Sequence, residues 1–364
     1  MKLLVVNNDK GWGGGQEHLK ELIPHLEASG CCTRLLCRSG SLSEGNFKRL
    51  GYSVTAVTDR KKSLWRSITE TAVLLRRESF DIIMVTREHD LTATFLAWKL
   101  AFPFRRRGKF VICYHTATSR KQPFLNRVDG VVCISGHVRD RLLSAHRALT
   151  PPLWVISNGI RIDGDVTPEK FTRERPRRYF TGLGFPLIGM VGAFFKNQTE
   201  LMEVVALVKG SFPAVRVALV GDDTDPGLTG AIGERAQALG VEDNLVMTGK
   251  VPHERLRELY FDFDLTVSTF RNEGFGLVHL ESLANGTPVV AYDEGGQVDI
   301  FRGSSAGVLV HGGAAEFAAA LIQLLRDHER RFAMGREGME LVRSRYTVQA
   351  MTAAYLTLFR GLPP

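Results

Sequence analysis

A chain of 364 residues with 44% hydrophobic and 24% charged residues has the composition of a globular protein long enough for two cores. No apolar run reaches the roughly 18–20 residues that cross a bilayer, and residues 1–7 turn polar too soon for a signal peptide, so no spanning helix is expected. The net charge of +8 is uneven: residues 1–170 hold 27 Lys and Arg against 16 Asp and Glu, a surplus of +11 that leaves −3 for the remainder. The first half should therefore attract something anionic.

In chain order, apolar runs at residues 3–6, 34–37, 54–57, 82–85, 110–114, 130–134 and 153–156 predict buried strands, with helical stretches between them. The clearest helical spacing is Leu19, Leu22, Ile23 and Leu26, which Pro24 is expected to interrupt. Residues 161–186 are polar and proline-bearing, and within them 166–186 reads as a linker with little core of its own. Strands then recur at 187–191, 216–220, 245–247, 265–267, 288–291 and 307–310, and residues 347–359 suit a closing amphipathic helix. The expected architecture is α/β, with two Rossmann-like doubly wound domains (1–165 and 187–346) facing across a cleft. Open sheets of this kind bind ligands at the carboxyl ends of their strands.

The five cysteines, Cys31, Cys32, Cys37, Cys113 and Cys133, form no C-x-x-C pair and read as small core residues rather than disulfides or metal ligands. A reducing cytoplasm is the default location. Phe95, Leu96, Trp98, Leu100, Phe102 and Phe104 run into Arg105, Arg106, Arg107 and Lys109, with a second basic patch at Arg60, Lys61, Lys62 and Arg66. Two readings stay open for that stretch: rings and cations lying on the inner face of an anionic membrane, or a buried helix ending in solvated arginines. No nucleic-acid module is recognisable, so nucleic acid is not an expected partner.

The chemistry concentrates in residues 272–290. Glu273 and Glu281 stand eight residues apart around Gly274, Phe275, Gly276 and Leu277, and a helix is expected over 276–285. The first amides of that helix would favour a phosphate, while carboxylates on either side seek hydroxyls. Sugar, diphosphate and ribose of a nucleotide sugar match that order. Gly14 and Gly15, after the first strand, offer a close backbone approach to a ligand. His115 ends the strand over 110–114, and Lys196 follows the first strand of the second domain, where a cation can neutralise a diphosphate. Asp262 and Asp264 form a D-x-D, yet their place at a strand entry favours capping over metal binding.

These landmarks together resemble glycosyltransferase family 4, the retaining glycosyltransferases with the GT-B fold. Glu273 to Glu281 is similar to its E-x7-E signature, Gly13 to Glu17 to its N-terminal glycine loop, and His115 to its strand-end histidine. Asn158-Gly159 is similar to its domain-linking turn, and Val220-Gly221-Asp222 and Thr248-Gly249-Lys250-Val251 to two later landmarks. The resemblance implies that Glu273 contacts donor hydroxyls, that Glu281 holds the ribose, and that residues 274–277 cradle the diphosphate. It also implies that Lys250 and Val251 lie against the base, that His115 meets the transferred sugar, and that the terminal helix over 347–364 returns to the first domain. No metal or other cofactor is expected. The implied co-substrates are a nucleotide-diphosphate sugar and a polar or lipid-linked acceptor, as in envelope polysaccharide or lipopolysaccharide synthesis.

The chain departs from the family at two positions. Thr116 stands where an aspartate usually follows the histidine, and Ala193 replaces an arginine of the phosphate clamp, which leaves Arg271 as the candidate substitute. The alternatives are a non-catalytic nucleotide-sugar-binding scaffold and a sugar-nucleotide epimerase of the same architecture. A phosphorylase would need a region for lysine-bound pyridoxal, and none is visible.

Overall fold

In the computed structural model, which describes residues 1–104, 107–162, 167–168, 171, 176–223 and 227–362, the apolar runs pair as two parallel sheets. The side chains of residues 253 and 254 lie outside the description. One sheet belongs to the unit formed by Met1–Arg161 with Thr347–Pro364, the other to the unit Ile162–Tyr346.

The first unit alternates β1 (Lys2–Asn7), α1 (Gly14–Ala28), β2 (Cys32–Arg38), α2 (Leu42–Arg49), β3 (Val54–Val57), α3 (Leu64–Arg77), β4 (Ile82–Val85) and α4 (Leu91–Ala101). It continues with β5 (Lys109–Tyr114), β6 (Gly130–Cys133), α5 (Gly136–Ala145) and β7 (Leu153–Val155). The strand order is β3-β2-β1-β4-β5-β6-β7. The central strands are Val-, Ile- and Leu-rich and buried along their length, as strands covered by helices on both faces require. The order reverses between β1 and β4, which opens a crevice at their carboxyl ends.

The second unit holds β8 (Leu187–Val191), α6 (Gln198–Lys209), β9 (Arg216–Val220), α7 (Leu228–Ala238), β10 (Leu245–Gly249), α8 (His253–Asp262) and β11 (Leu265–Ser268). After these come α9 (Leu277–Ala284), β12 (Val289–Tyr292), α10 (Gln297–Phe301), β13 (Gly307–Val310), α11 (Ala314–Arg326) and α12 (His328–Arg345). Its order, β10-β9-β8-β11-β12-β13, reverses between β8 and β11. Helix α13 (Val348–Gly361) then packs in the first unit, where the Tyr355 hydroxyl lies 3.2 Å from Cys113 Sγ and the Ile160–Thr347 bridge seats its start. Gly159 permits that seat: a Cβ there would fall 2.3 Å from the Thr347 carbonyl oxygen.

Two expectations need correction, and one open reading is narrowed. Pro24 does not interrupt α1, which runs through it. The Lys20 carbonyl, deprived of its i+4 amide, accepts the Tyr52 hydroxyl at 2.9 Å instead. The segment 166–186 is no bare linker where it is described. Phe180 is buried against Leu259, Tyr260 and Phe263, and the Asp262 carboxylate accepts the amides of Arg178, Tyr179 and Phe180, each at 2.7 Å. Residues 163–166, 169–170 and 172–175 lie outside the described residues. The aromatic cluster divides: Phe95 and Trp98 are buried beside Phe110, with Trp98 Nε1 donating to the Arg107 carbonyl, whereas Leu100 and Phe104 are exposed. The buried-helix reading therefore holds for Phe95 and Trp98, and Arg105 and Arg106 lie outside the described residues. No helix among the described residues is long and apolar enough to cross a membrane.

The four buried cysteines are free thiols in the core, and Cys32 is free and exposed.

Candidate functional site

In the second unit the reversal of strand order brings together the loops after β8 and β11. Lys196, after β8, places its Nζ 2.7 Å from Glu273 Oε2, after β11. Their side chains are 18% and 14% exposed, so the pair is shielded well beyond a surface ion pair. Burial pushes the Glu273 carboxyl up, but the Lys196 ammonium, the His279 ring and the Phe275 amide outweigh it and hold the group below its ordinary value. Glu273 is thus an ionised acceptor near neutral pH.

The loop after Glu273 turns inward before it becomes a helix. The Gly274 amide donates to Glu273 Oε1 at 3.1 Å, and the Phe275 ring is buried 6.0 Å from the Tyr346 ring. Two of the amides expected to cradle a diphosphate are therefore engaged by the chain's own carboxylate. The next three, of Gly276, Leu277 and Val278, have no partner among the described residues and open α9. Beneath the loop the buried His279 ring meets Gln297 Oε1 at 3.1 Å, and Gln297 Nε2 donates to the Tyr292 carbonyl at 2.8 Å. Burial drives His279 down to about 4, so it is a neutral prop.

Gly295 closes the far side of the loop. It has φ +78°, and a Cβ there would sit 2.8 Å from the Arg271 carbonyl oxygen and 2.9 Å from the Glu273 nitrogen. The neighbouring Gly296 amide donates to the Glu273 carbonyl at 2.6 Å. Only a residue without a side chain fits that approach.

Glu281, about one and a half turns into α9, accepts the Tyr260 hydroxyl at 2.7 Å. Tyr260 is fully buried, and burial raises its phenol well above its ordinary value, so it stays a donor. Lys250 is exposed after β10, while Val251 packs partly buried on the core cluster around Phe180 and Leu259.

Arg271 does not stand free to replace the missing clamp arginine. Its guanidinium contacts Glu294, donates to the Gly312 carbonyl at 2.8 Å, lies 3.5 Å from Glu200, and stacks 3.6 Å over the Tyr292 ring. Asp262 and Asp264 are likewise committed: Asp264 accepts the Leu187 amide at 2.7 Å and Arg177 at 2.9 Å. Both aspartates act as ties at a strand entry, as the capping reading expects.

In the first unit, Gly13 caps α1, and Gly14 and Gly15 form its first turn, with amides that have no partner among the described residues. A chain of bonds fixes that turn at the switch point. Gln16 Nε2 donates to Asn7 Oδ1, and Asn7 Nδ2 donates to Thr86 Oγ1, each at 2.9 Å. His115 follows β5, with its ring 4.7 Å from that of His18 on α1. Its buried Nε2 has no partner among the described residues, and burial brings the ring to about 4, so it is neutral above that pH.

The sequence alone did not single out His18, Tyr260 or Gln297. The histidine at 18 follows Gln16 and Glu17 within the glycine-loop motif, which was the one available signal.

Two parallel Rossmann-like units carrying these loops define the GT-B class. The chain belongs to glycosyltransferase family 4: residues 12–163 match Glycosyltransferase Family 4, and residues 173–340 match Glycosyl transferases group 1. A D-inositol 3-phosphate glycosyltransferase of Corynebacterium jeikeium is 30% identical over 67% of this chain and 60% of its own length. Its counterpart in Nocardia farcinica is 36% identical over 47% of this chain and 42% of its own length. The chain thus matches about half the length of these relatives. Among solved structures, Anabaena HepE in complex with UDP and glucose superposes with a TM-score of 0.83 over 100% of both chains at 19% identity, a likeness of fold.

Proposed function

We propose that this chain is a retaining hexosyltransferase that moves a sugar from a nucleotide diphosphate to an acceptor hydroxyl. The carrying observation is the Lys196–Glu273 pair at the switch point of the second unit, beside the unpartnered amides that open α9. The UDP and glucose held by the Anabaena relative of the same fold support a nucleotide-sugar donor.

In this reading the second unit holds the donor. Lys196 and the amides of Gly276, Leu277 and Val278 stabilise charge on the departing diphosphate. Glu273 accepts hydrogen bonds from sugar hydroxyls, and Glu281, steadied by Tyr260, accepts from the ribose. Lys250 and Val251 lie toward the base. Gly14, Gly15 and neutral His115 act from the first unit, which takes the acceptor. The bond between the anomeric carbon and the diphosphate oxygen breaks as the acceptor oxygen bonds that carbon on the same face. The acceptor proton passes to the departing diphosphate. No enzyme nucleophile and no metal enter this scheme.

The acceptor belongs, on this reading, to envelope polysaccharide, lipopolysaccharide or glycolipid synthesis in the cytoplasm. Exposed Leu64 and Trp65, flanked by Lys62 and Arg66, favour supply from an anionic membrane surface. The test is a thermal-shift screen with nucleotide sugars, followed by turnover on the donor that stabilises the chain. Glu281→Ala should weaken nucleotide binding, and Glu273→Ala should mainly lower turnover. Parent-level binding and activity in both variants would overturn the assignment. Binding without turnover on any acceptor pool would favour the scaffold reading, which Ala193 and the committed Arg271 motivate.

A further inference from the structure

A polar cavity of about 130 Å³ lies in the first unit, apart from the glycine turn and His115, and takes in Arg60 and Lys61 of the basic patch. It is lined from the carboxyl ends of four neighbouring strands: Asn8, Asp9 and Lys10 after β1, Arg38 ending β2, Thr58 to Lys61 after β3, and Arg87 after β4. This is the crevice side of the sheet, beside the reversal between β1 and β4, where open α/β sheets take ligands. Its volume is well below the roughly 300 Å³ of a whole small-molecule pocket, yet many times that needed by one water. It suits a single group of a larger molecule.

The charges say which group. Five cations line the cavity against two carboxylates, Asp9 and Asp59. Arg38 meets Asp59 at 2.6 Å and Arg87 meets Asp9 at 3.4 Å, which fixes both guanidiniums at the wall. Arg60 reaches the buried Asp90 only at 3.8 Å. Burial raises the Asp90 carboxyl, so this carboxylate opposes the cations less than an exposed one would. Lys10 and Lys61 are exposed and have no carboxylate partner among the described residues. The rim thus keeps cationic donors unspent, beside guanidiniums already oriented by their ties.

We propose that this cavity is an anion site that holds a phosphate group of the acceptor, at the same sheet edge as the glycine turn and His115. The assignment rests on the first unit being the acceptor side of the transferase proposed above. Arginine forks and lysine ammoniums match phosphate oxygens, and a monoester carries close to two charges at neutral pH. The surplus of +11 over residues 1–170 gains a definite role in this way.

The probes are inorganic phosphate, glycerol 3-phosphate, and vesicles of phosphatidylcholine with or without phosphatidic acid. Binding is read by calorimetry and by melting temperature at constant ionic strength, with sulfate and chloride as controls. The expected result is binding of a phosphate monoester, strengthening as pH rises through about 6, where the second phosphate proton leaves. Lys10→Met/Lys61→Met should weaken it by about tenfold or more, since each charge-assisted contact is strong. That variant should still melt with the parent and bind UDP as the parent does. Preference for glycerol 3-phosphate would identify a soluble source, and preference for phosphatidic acid vesicles a lipid-linked one.

Equal phosphate binding by parent and variant, or heating curves that chloride shifts as much as phosphate, would overturn the site. Phosphate binding with no response to any nucleotide would instead overturn the donor reading while leaving the cavity assignment standing.

Discussion

Replacing Lys196 by Met removes the cation from a carboxylate that is only 14% exposed. Two unit charges at 2.7 Å attract by about 6 kcal/mol at an effective dielectric of about 20, and desolvation of both groups offsets part of that. Removing one partner leaves the other buried and alone, which costs about 3–5 kcal/mol. At the lower figure, a unit of about 185 residues should melt roughly 6–12 °C lower. The pH dependence follows from the sign of the shift. In the parent the Glu273 carboxyl is held down, so its contribution is present above the unfolded value and fades as pH falls through the folded one. Without Lys196 burial dominates and raises the carboxyl. The deficit of the variant is then largest near pH 7.5 and shrinks toward pH 4. The assay is thermal melting at both pH values for the parent, Lys196→Met, Glu273→Gln and the double variant. Most of the loss should return in the double variant, where no unpaired charge remains. Additive losses, or a Lys196→Met melt within about 2 °C of the parent at pH 7.5, would refute the reasoning.

Gly295→Ala adds a Cβ 2.8–3.0 Å from the backbone of Arg271 and Glu273 at a positive φ, so about 1–3 kcal/mol of stability should be lost, together with affinity for nucleoside diphosphates. Calorimetry with UDP and melting curves check both. Tyr52→Phe should cost about 1–2 kcal/mol by stranding the Lys20 carbonyl, and less in a Pro24→Ala background that restores an amide there; a melting comparison decides it. His279 titrates at about 4 in the folded chain and near 6.5 when unfolded, so the unfolded state binds more protons between those values and stability falls as pH drops across that window. His279→Gln should remove up to roughly 3 kcal/mol of that slope, read from denaturation at pH 6.5 and 4.5.

The strands were legible because each is a short apolar run, and the central ones are buried on both faces, a signal carried by consecutive residues. Where the expectations failed, the deciding partner was distant in sequence. Pro24 is tolerated because a hydroxyl 28 residues later supplies the missing donor. Residues 177–180 looked like linker because their partners, Asp262 and Asp264, lie more than 80 residues away. The committed state of Arg271 needs Glu200, Glu294 and Gly312, none of which its local sequence announces.

The candidate site shows the same division more sharply. Motif spacing nominates Lys196 and Glu273 separately, but nothing in either loop says that they touch across 77 residues. Contact follows from strand order. β8 is flanked by β9 and β11, so the chain leaves the first strand toward one side and returns, three strands later, on the other. The loops that end β8 and β11 therefore face the same crevice, whatever their sequences. The first unit repeats this with β1 and β4, and there the bonds from Gln16 to Asn7 and from Asn7 to Thr86 join loops 79 residues apart. Apolar pattern decides that such sheets form. The order of pairing, which no single segment encodes, then decides which polar residues become neighbours and what they can bind.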